Sequence, residues 1–380
     1  MRYCGDWEMT KKRFQAWWRG GKIGRPMMRI LAKRDVPLKE PDPALKAGRS
    51  GEPGLLPIGA AGQPSPEEHH IDPSLNAARV RNQYRTHRPM AEGYLSLDLN
   101  IGPGSMATYL GAKPVFAPDT VWYEECIADY GSFGDLAYNP EAHWLKRHLE
   151  VVREGVRLSG GDFLVNIPDI IENIDILSSL RGPQQTCFDL YDHESEVRRI
   201  LKQIESFYFR YYDAFYDIVK GKDDSSSFTA FSIWGPGKTA KVQCDFSAMI
   251  SPGQFRDFVL PGLDRQCALL DNTLYHLDGP DAIKHVEALM EIKNLKALQW
   301  TAGAGKPDGA SRDWYPIYES VRRAGKSLWI AIYDGAFDDW VAGADALVKA
   351  FGSDGLYLLF PTMSETQAGR LIEHAEAKWG

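Results

Sequence analysis

The chain has 380 residues, 44% of them hydrophobic and 25% charged, a composition that supports a large buried core and excludes disorder throughout. Its formal net charge of -7, from 44 basic and 51 acidic residues, lacks the basic surface that phosphate backbones demand, so a nucleic-acid partner is not expected. No window approaches the ~18 apolar residues of a membrane span, and the opening "MRYCGDWEMTKKRFQAWWRGGK" carries no signal-peptide-like apolar stretch, so no membrane partner is expected and the expected location is cytoplasmic.

The first apolar run is "MMRILAK" (27–33), read as a strand. Residues 38–75 follow, rich in Pro, Gly and charge and without periodicity, and are expected to form an inserted loop or arm. Further strands are expected at "YLSLDLNIG" (94–102), "DFLVNIPD" (162–169), "FTAFSIWG" (228–235), "TLYHLDG" (273–279), "ALQWTAG" (297–303), "SLWIAIYDG" (327–335) and "GLYLLFP" (355–361). Helical periodicity fills the intervals, as in "SEVRRILKQIESFYFRYYDAFYDIVKG", which runs to Gly221. A second helix is expected to begin on Ser251, with Pro252 in its first turn. Alternating strands and helices imply parallel pairing with right-handed crossovers, and eight such strands imply a single (β/α)8 TIM barrel spanning 1–380, with an N-terminal extension and the Pro/Gly-rich insertion. An open doubly wound sheet is the alternative, but no G-x-G-x-x-G turn follows the first strand. The five cysteines are scattered without a C-x-x-C pair, as in reduced thiols rather than a disulfide framework.

In a barrel of this kind chemistry sits at the C-terminal ends of the strands. Polar and aromatic residues expected there are Asn100, Asp169, Trp234, His276, Asp278, Gln299, Trp300, Tyr333, Asp334 and Thr362. His276 and Asp278 are two apart, so a strand turns both to one face. The spacing suits half of a metal site, an acid–base pair, or the polar end of a buried strand. A catalytic zinc needs three protein ligands, and Asp334, Asp169, Glu172 and Cys267 are the open choices for the third. Asp169 and Glu172 also fit a capping-box-like helix start in "NIPDIIENIDILSSLRG". Two Gly-Pro-Gly turns, in "LNIGPGSMATYLG" with Ser105 as a helix cap and in "SIWGPGKTAKVQCDFSAMISP" with Lys238, Lys241 and Asp245, are candidate anion sites. Trp234 and Trp300 are expected to wall a pocket, with Asn100, Lys238, Gln299 and Tyr333 touching substrate.

Three stretches together resemble the uroporphyrinogen decarboxylase superfamily: "RFQAWWRGGKIGRPMMRI", the block "DFSAMISPGQFRDFVLPGLDRQ", and "LYHLDG", where that superfamily has an apolar strand ending in His-x-Cys-Gly or a relative. The resemblance implies a (β/α)8 barrel and two possible chemistries: metal-free decarboxylation of porphyrinogen acetate groups, or zinc-dependent methyl transfer involving corrinoid proteins. The decarboxylase's "R-Q-A-G-R-Y" run is absent, residues 13–19 reading "RFQAWWR". The thiol methyltransferases' two cysteine ligands are absent as well: Asp278 stands where the first would be, and "GLYLLFPTMSE" contains none. A harder His-carboxylate site favours oxygen ligands.

The resulting expectation is an enzyme that moves a methyl group between a small methylated substrate, of methoxy or methylamine type, and a corrinoid protein. His276, Asp278 and Asp334 are its expected catalytic residues, and His276 and Asp278 hold a zinc ion. The alternative is a metal-free decarboxylase or lyase acting on a carboxylated substrate such as a tetrapyrrole, with Asp278 as acid–base and Lys238 or Arg181 as carboxylate clamp. Expected partners are a small-molecule substrate, a corrinoid protein and a second copy forming a homodimer.

Overall fold

A computed structural model describes residues 1–39, 64–228 and 230–380. Its centre is an eight-stranded, mostly parallel sheet. Six parallel strands run in the order β9 (Thr239–Gln243), β10 (Asn272–Asp278), β11 (Ala297–Thr301), β12 (Ser327–Ala331), β13 (Leu356–Leu359) and β1 (Met27–Lys33). β2 (His87–Ala91) pairs antiparallel to β1, and β14 (Met363–Ser364) pairs parallel to it further along. β3 (Ser96–Leu97) and β6 (Leu164–Val165) form a separate parallel pair, so no continuous ladder links all eight expected repeats among the described residues. The architecture is mixed α/β and barrel-like. β4 (Lys113–Phe116) and β5 (Val121–Glu124) make a peripheral hairpin.

Most expected strands lie where apolar runs place them, but 228–235 does not. It is the turn and second arm of a hairpin formed by β7 (Ser225–Phe228) and β8 (Ile233–Pro236). The fourth strand in line is β9, beyond the Gly-Pro-Gly turn. That turn serves the sheet: Lys238 N donates to Asp271 Oδ2 at 2.8 Å, and a Cβ on Gly237, at φ +72°, would lie 2.1 Å from the same oxygen.

The sheet curls around this hairpin. Trp329 Nε1 on β12 donates to Phe231 O at 2.9 Å, Tyr357 OH on β13 donates to Ser232 O at 3.1 Å, and the Phe231 ring lies 5.1 Å from that of His276 on β10. Side chains from three strands converge on one tip only if they share the concave face. Ala230 (φ 68°) and Ser232 (φ 51°) flank Phe231 in left-handed conformations, which non-glycine residues adopt at a cost of about 1–3 kcal/mol.

Helix α1 (Trp7–Trp18) closes the N-terminal end of the strands. Asp6 caps it by accepting from Met9 N at 3.0 Å, and Thr10, Phe14, Trp17 and Trp18 form the buried stripe of a helical repeat. Trp17 Nε1 reaches Gly355 O at 3.1 Å and Trp18 Nε1 reaches Trp234 O at 2.8 Å. Part of the expected 38–75 loop is helical: Pro66–Ile71 starts on a Ser65–Glu68 capping box, and Pro73–Thr86 starts on Asp72. Residues 40–63 of that segment lie outside the described residues. Helix Glu194–Val219 matches the long amphipathic stretch, and Ser251 caps its helix as expected, with Pro252 in the first turn. Among the described residues, no helix is long and apolar enough to cross a membrane.

Candidate metal centre

Parallel register aligns side chains of neighbouring strands on one face. Gln243, His276, Gln299, Trp329 and Tyr357 are successive register partners from β9 to β13. His276, Trp329 and Tyr357 all reach the hairpin tip, so the row faces inward. Two residues further along β10 lies Asp278, and just past β9 lies Asp245. Ligand atoms of Asp245, His276 and Asp278 all come within 4.8 Å of one another.

The imidazole is pre-set for coordination. Gln299 Nε2 donates to Thr301 Oγ1 at 2.8 Å, which leaves Gln299 Oε1 to accept from His276 Nδ1. The Nε2 lone pair is thereby free for a ligand, the arrangement that orients metal-binding histidines. Burial, and then the nearby Lys241 ammonium, hold His276 below its usual pKa and so neutral.

Carboxylates crowd this end of the strands. Lys241 Nζ pairs with Asp169 Oδ2 at 2.7 Å, both side chains buried, and also donates to Gln243 Oε1. Gln243 Nε2 donates to Asp245 Oδ2 at 2.8 Å. Asp175 accepts from the backbone N–H groups of Asp245 and Phe246, each at 2.9 Å. Burial and the charge of Asp245 raise Asp175 to about 6. Asp245 meets solvent at the mouth, yet enclosure by the concave wall, reinforced by Asp278 and Asp169 and opposed by Lys241, raises it to about 6 too. Asp169, Asp175, Asp245 and Asp278 thus share one ammonium, a charge excess that a divalent cation offsets.

The segment carrying Asp169 and Asp175 is strained, with Ile171 (φ 49°) and Asn173 (φ 61°) in left-handed backbone. Its helix does not start on a capping box: Glu172 makes no side-chain cap bond, and Asp175 caps the Asp245 turn instead. The first Gly-Pro-Gly turn is not an anion site either, because Gly104 N and Ser105 N donate to Asp169 O at 3.0 and 3.3 Å. Ser105 makes no cap bond.

Several expected site residues lie elsewhere. Asp334 is outside the ligand cluster, its Oδ2 accepting from Asp308 N at 2.8 Å to brace the rim loop. Tyr333 is exposed beside it, its N–H donating to Asp308 Oδ2 at 2.5 Å. Trp234 is buried among Trp7, Phe14 and Trp18 against α1. Trp300 follows inward-facing Gln299, so it faces outward, where it packs on Trp314 at 5.1 Å. Lys238 precedes β9 and pairs with Asp213 at 2.7 Å. Arg181 is tied to Asp189 at 2.7 Å. Asn100 shares strand parity with Ser96 and Asp98, both of which Asn166 Nδ2 contacts, and its buried Oδ1 has no partner among the described residues. The third member of the cluster, Asp245, had a visible signal: it ends the alternation Lys241, Gln243, Asp245 beyond the glycine turn.

The donor set fits a divalent cation. His nitrogen and carboxylate oxygen are both zinc ligands, and the exposed Asp245 and Asp278 side chains flank His276 within 4.8 Å. One nitrogen and two carboxylates leave a fourth position open.

No protein-family model matches this chain, and no curated protein matches its sequence. Among solved structures, it is similar to a methyltransferase from Methanosarcina mazei, with a TM-score of 0.60 and 11% identity over 97% of this chain and 98% of that one. At that identity the likeness shows a shared fold, spanning both chains almost completely.

Proposed function

We propose that this protein is a metal-dependent methyltransferase, a (β/α)8 barrel of the uroporphyrinogen decarboxylase superfamily that moves a methyl group from a small methoxy compound to a corrinoid protein. The observation that carries the reading is the convergence of Asp245, His276 and Asp278 at the C-terminal ends of adjacent parallel strands. The fold shared with a methyltransferase supports it.

Asp245, His276 Nε2 and Asp278 hold the ion, and Gln299 keeps the imidazole in the required tautomer. A bound zinc ion supplies Lewis acidity toward the substrate's ether oxygen. The C–O bond breaks, the methyl group passes as a cation equivalent to the acceptor's nucleophile, and the departing oxygen takes a proton from solvent at the mouth. Phe231 and Trp329 floor the site and keep water from its inner side. The carboxylate-rich, nitrogen-poor set favours an oxygen-bound substrate over a thiol.

The test is metal analysis of protein purified without chelator, alongside His276→Ala. Near-stoichiometric metal in the wild type and its loss in the variant is the expected result; equal trace metal in both refutes the reading.

A further inference from the structure

Arg29 faces the interior of the sheet. It is the register partner of Leu359, two residues beyond Tyr357 on β13, and Tyr357 points inward to the hairpin tip. Strand parity therefore turns Arg29 to the same concave face as His276 and Gln299. It is half-buried, yet its guanidinium makes no hydrogen bond or ion pair with any described residue.

Among the described residues, the other enclosed guanidinium groups each have at least one protein partner. Arg25 is bidentate to Glu92 at 2.9 and 3.0 Å, Arg181 pairs with Asp189 at 2.7 Å, and Arg79 donates to Asn76 Oδ1 at 2.9 Å. Arg34 donates to Tyr84 O at 3.1 Å. Arg29 instead presents its donors inward without an acceptor from the described residues, a donor set that a bound anion completes.

A second unfilled group lies beside it. Tyr94 is buried, and its hydroxyl has no partner among the described residues. Arg29 pairs with Ala91, three residues before Tyr94, and stands two residues beyond Met27, the partner of Tyr357, so the three groups share one region of the interior, and the Arg29 charge lowers both phenols against the larger effect of burial. Tyr94 and Tyr357 rest on Phe14 of α1, with ring centroids 6.2 and 5.5 Å away, so the two phenols approach from the closed end, while Arg29 lies one inward-facing step nearer the C-terminal ends than Met27, the register partner of Tyr357. Asp98 also acts on Tyr94, and its Oδ1 is engaged by Asn166 Nδ2 at 2.5 Å.

We propose that Arg29 and Tyr94 form the anion-binding end of the site, so that its substrate is a small methyl ether bearing a carboxylate. The planar guanidinium matches a carboxylate bidentately, and the phenol donates a third hydrogen bond. The substrate then spans the concave face, its carboxylate at Arg29 on β1 and its methoxy group at the Asp245–His276–Asp278 cluster on the far strands. This inference rests on the methyl-transfer reading for the fate of the methoxy group, whereas the anion site itself does not.

The test is calorimetric titration with two matched pairs, 4-methoxybenzoate against 4-methoxybenzyl alcohol and methoxyacetate against 2-methoxyethanol. In the wild type the acid of at least one pair binds about tenfold to a hundredfold more tightly than its alcohol, the range expected of charge-assisted hydrogen bonds. Arg29→Leu brings that ratio to about one, Arg29→Lys retains part of it, and metal content stays at the wild-type level in both. Thermal melts establish that both variants are folded. An unchanged ratio in Arg29→Leu, or no saturable binding of either acid by the wild type, overturns the proposal. If Arg29-dependent acid binding persists in protein that takes up no metal, the anion site stands and the methyl-transfer reading falls.

Discussion

Replacing Gln299 by Leu tests whether His276 is a metal ligand without touching a ligand. Gln299 is buried, and its Oε1 is the acceptor that fixes Nδ1 of His276 as the donor. The leucine removes that acceptor and strands a donor inside the wall, at a cost of about 1–3 kcal/mol for an unsatisfied buried group. The ring recovers part of this by turning or changing tautomer, and either response withdraws the Nε2 lone pair from the ion. Losses from such outer partners run about tenfold to a hundredfold in metal affinity, or ~1.4–2.7 kcal/mol, the same range reached independently. The assay is competition for zinc against a chromophoric chelator at pH 7, with cobalt substitution to read the ligand field. Gln299→Leu is expected to weaken binding by that factor, and Gln299→Glu, which keeps an acceptor, to stay near the wild type. Binding by Gln299→Leu within about threefold of the wild type refutes the orientation argument.

Three further outcomes follow from the same geometry. Asp245→Asn is expected to lower zinc affinity by at least a hundredfold in the same titration, while Asp334→Asn, whose carboxylate braces the Asp308 turn, stays within a few-fold. Asp169→Asn removes the carboxylate paired directly with the buried Lys241 ammonium, and chemical denaturation is expected to show a loss of up to about 3–5 kcal/mol that Asp169→Leu with Lys241→Met largely restores. His148 is fully buried, its Nε2 donating to Leu99 O at 2.8 Å and its Nδ1 accepting from Tyr109 OH at 2.6 Å, and burial lowers it from 6.5 to about 4. The unfolded chain therefore binds the extra proton first. Stability falls as pH drops from about 6.5 to 4, by about 3 kcal/mol, and His148→Gln flattens that stretch of the melting-temperature profile.

How much of this was legible depends on which face of a strand carried the signal. β10 to β13 and β1 are nearly continuous apolar runs, because both faces of a parallel strand are buried, and they stand out for that reason. β9 is different: Lys241, Gln243 and Asp245 occupy its inward parity, so the residues that build the site erase the apolar run that would have announced the strand. The aromatic "FSIWG" next to it read as the stronger strand, and it is one, but in a hairpin that fills the interior rather than in the parallel ladder. Misplacing that strand displaced Trp234 and Lys238 from the closed end to the mouth, where the structure does not put them.

The third member of the cluster, Asp245, was hidden by the same error and not by any ambiguity in its chemistry. Once β9 is set at Thr239–Gln243, register places Gln243 opposite His276, and two more residues bring Asp245 level with Asp278. Parity alone also separates Gln299, which turns inward to His276, from Trp300, which cannot share its face. Strand adjacency is what single-sequence periodicity omits: 31 positions separate Asp245 from His276, and only the crossover that makes their strands neighbours closes that gap. The inward face is therefore the place to look for function in such a chain, and polar residues at alternate positions after a glycine turn are its clearest trace.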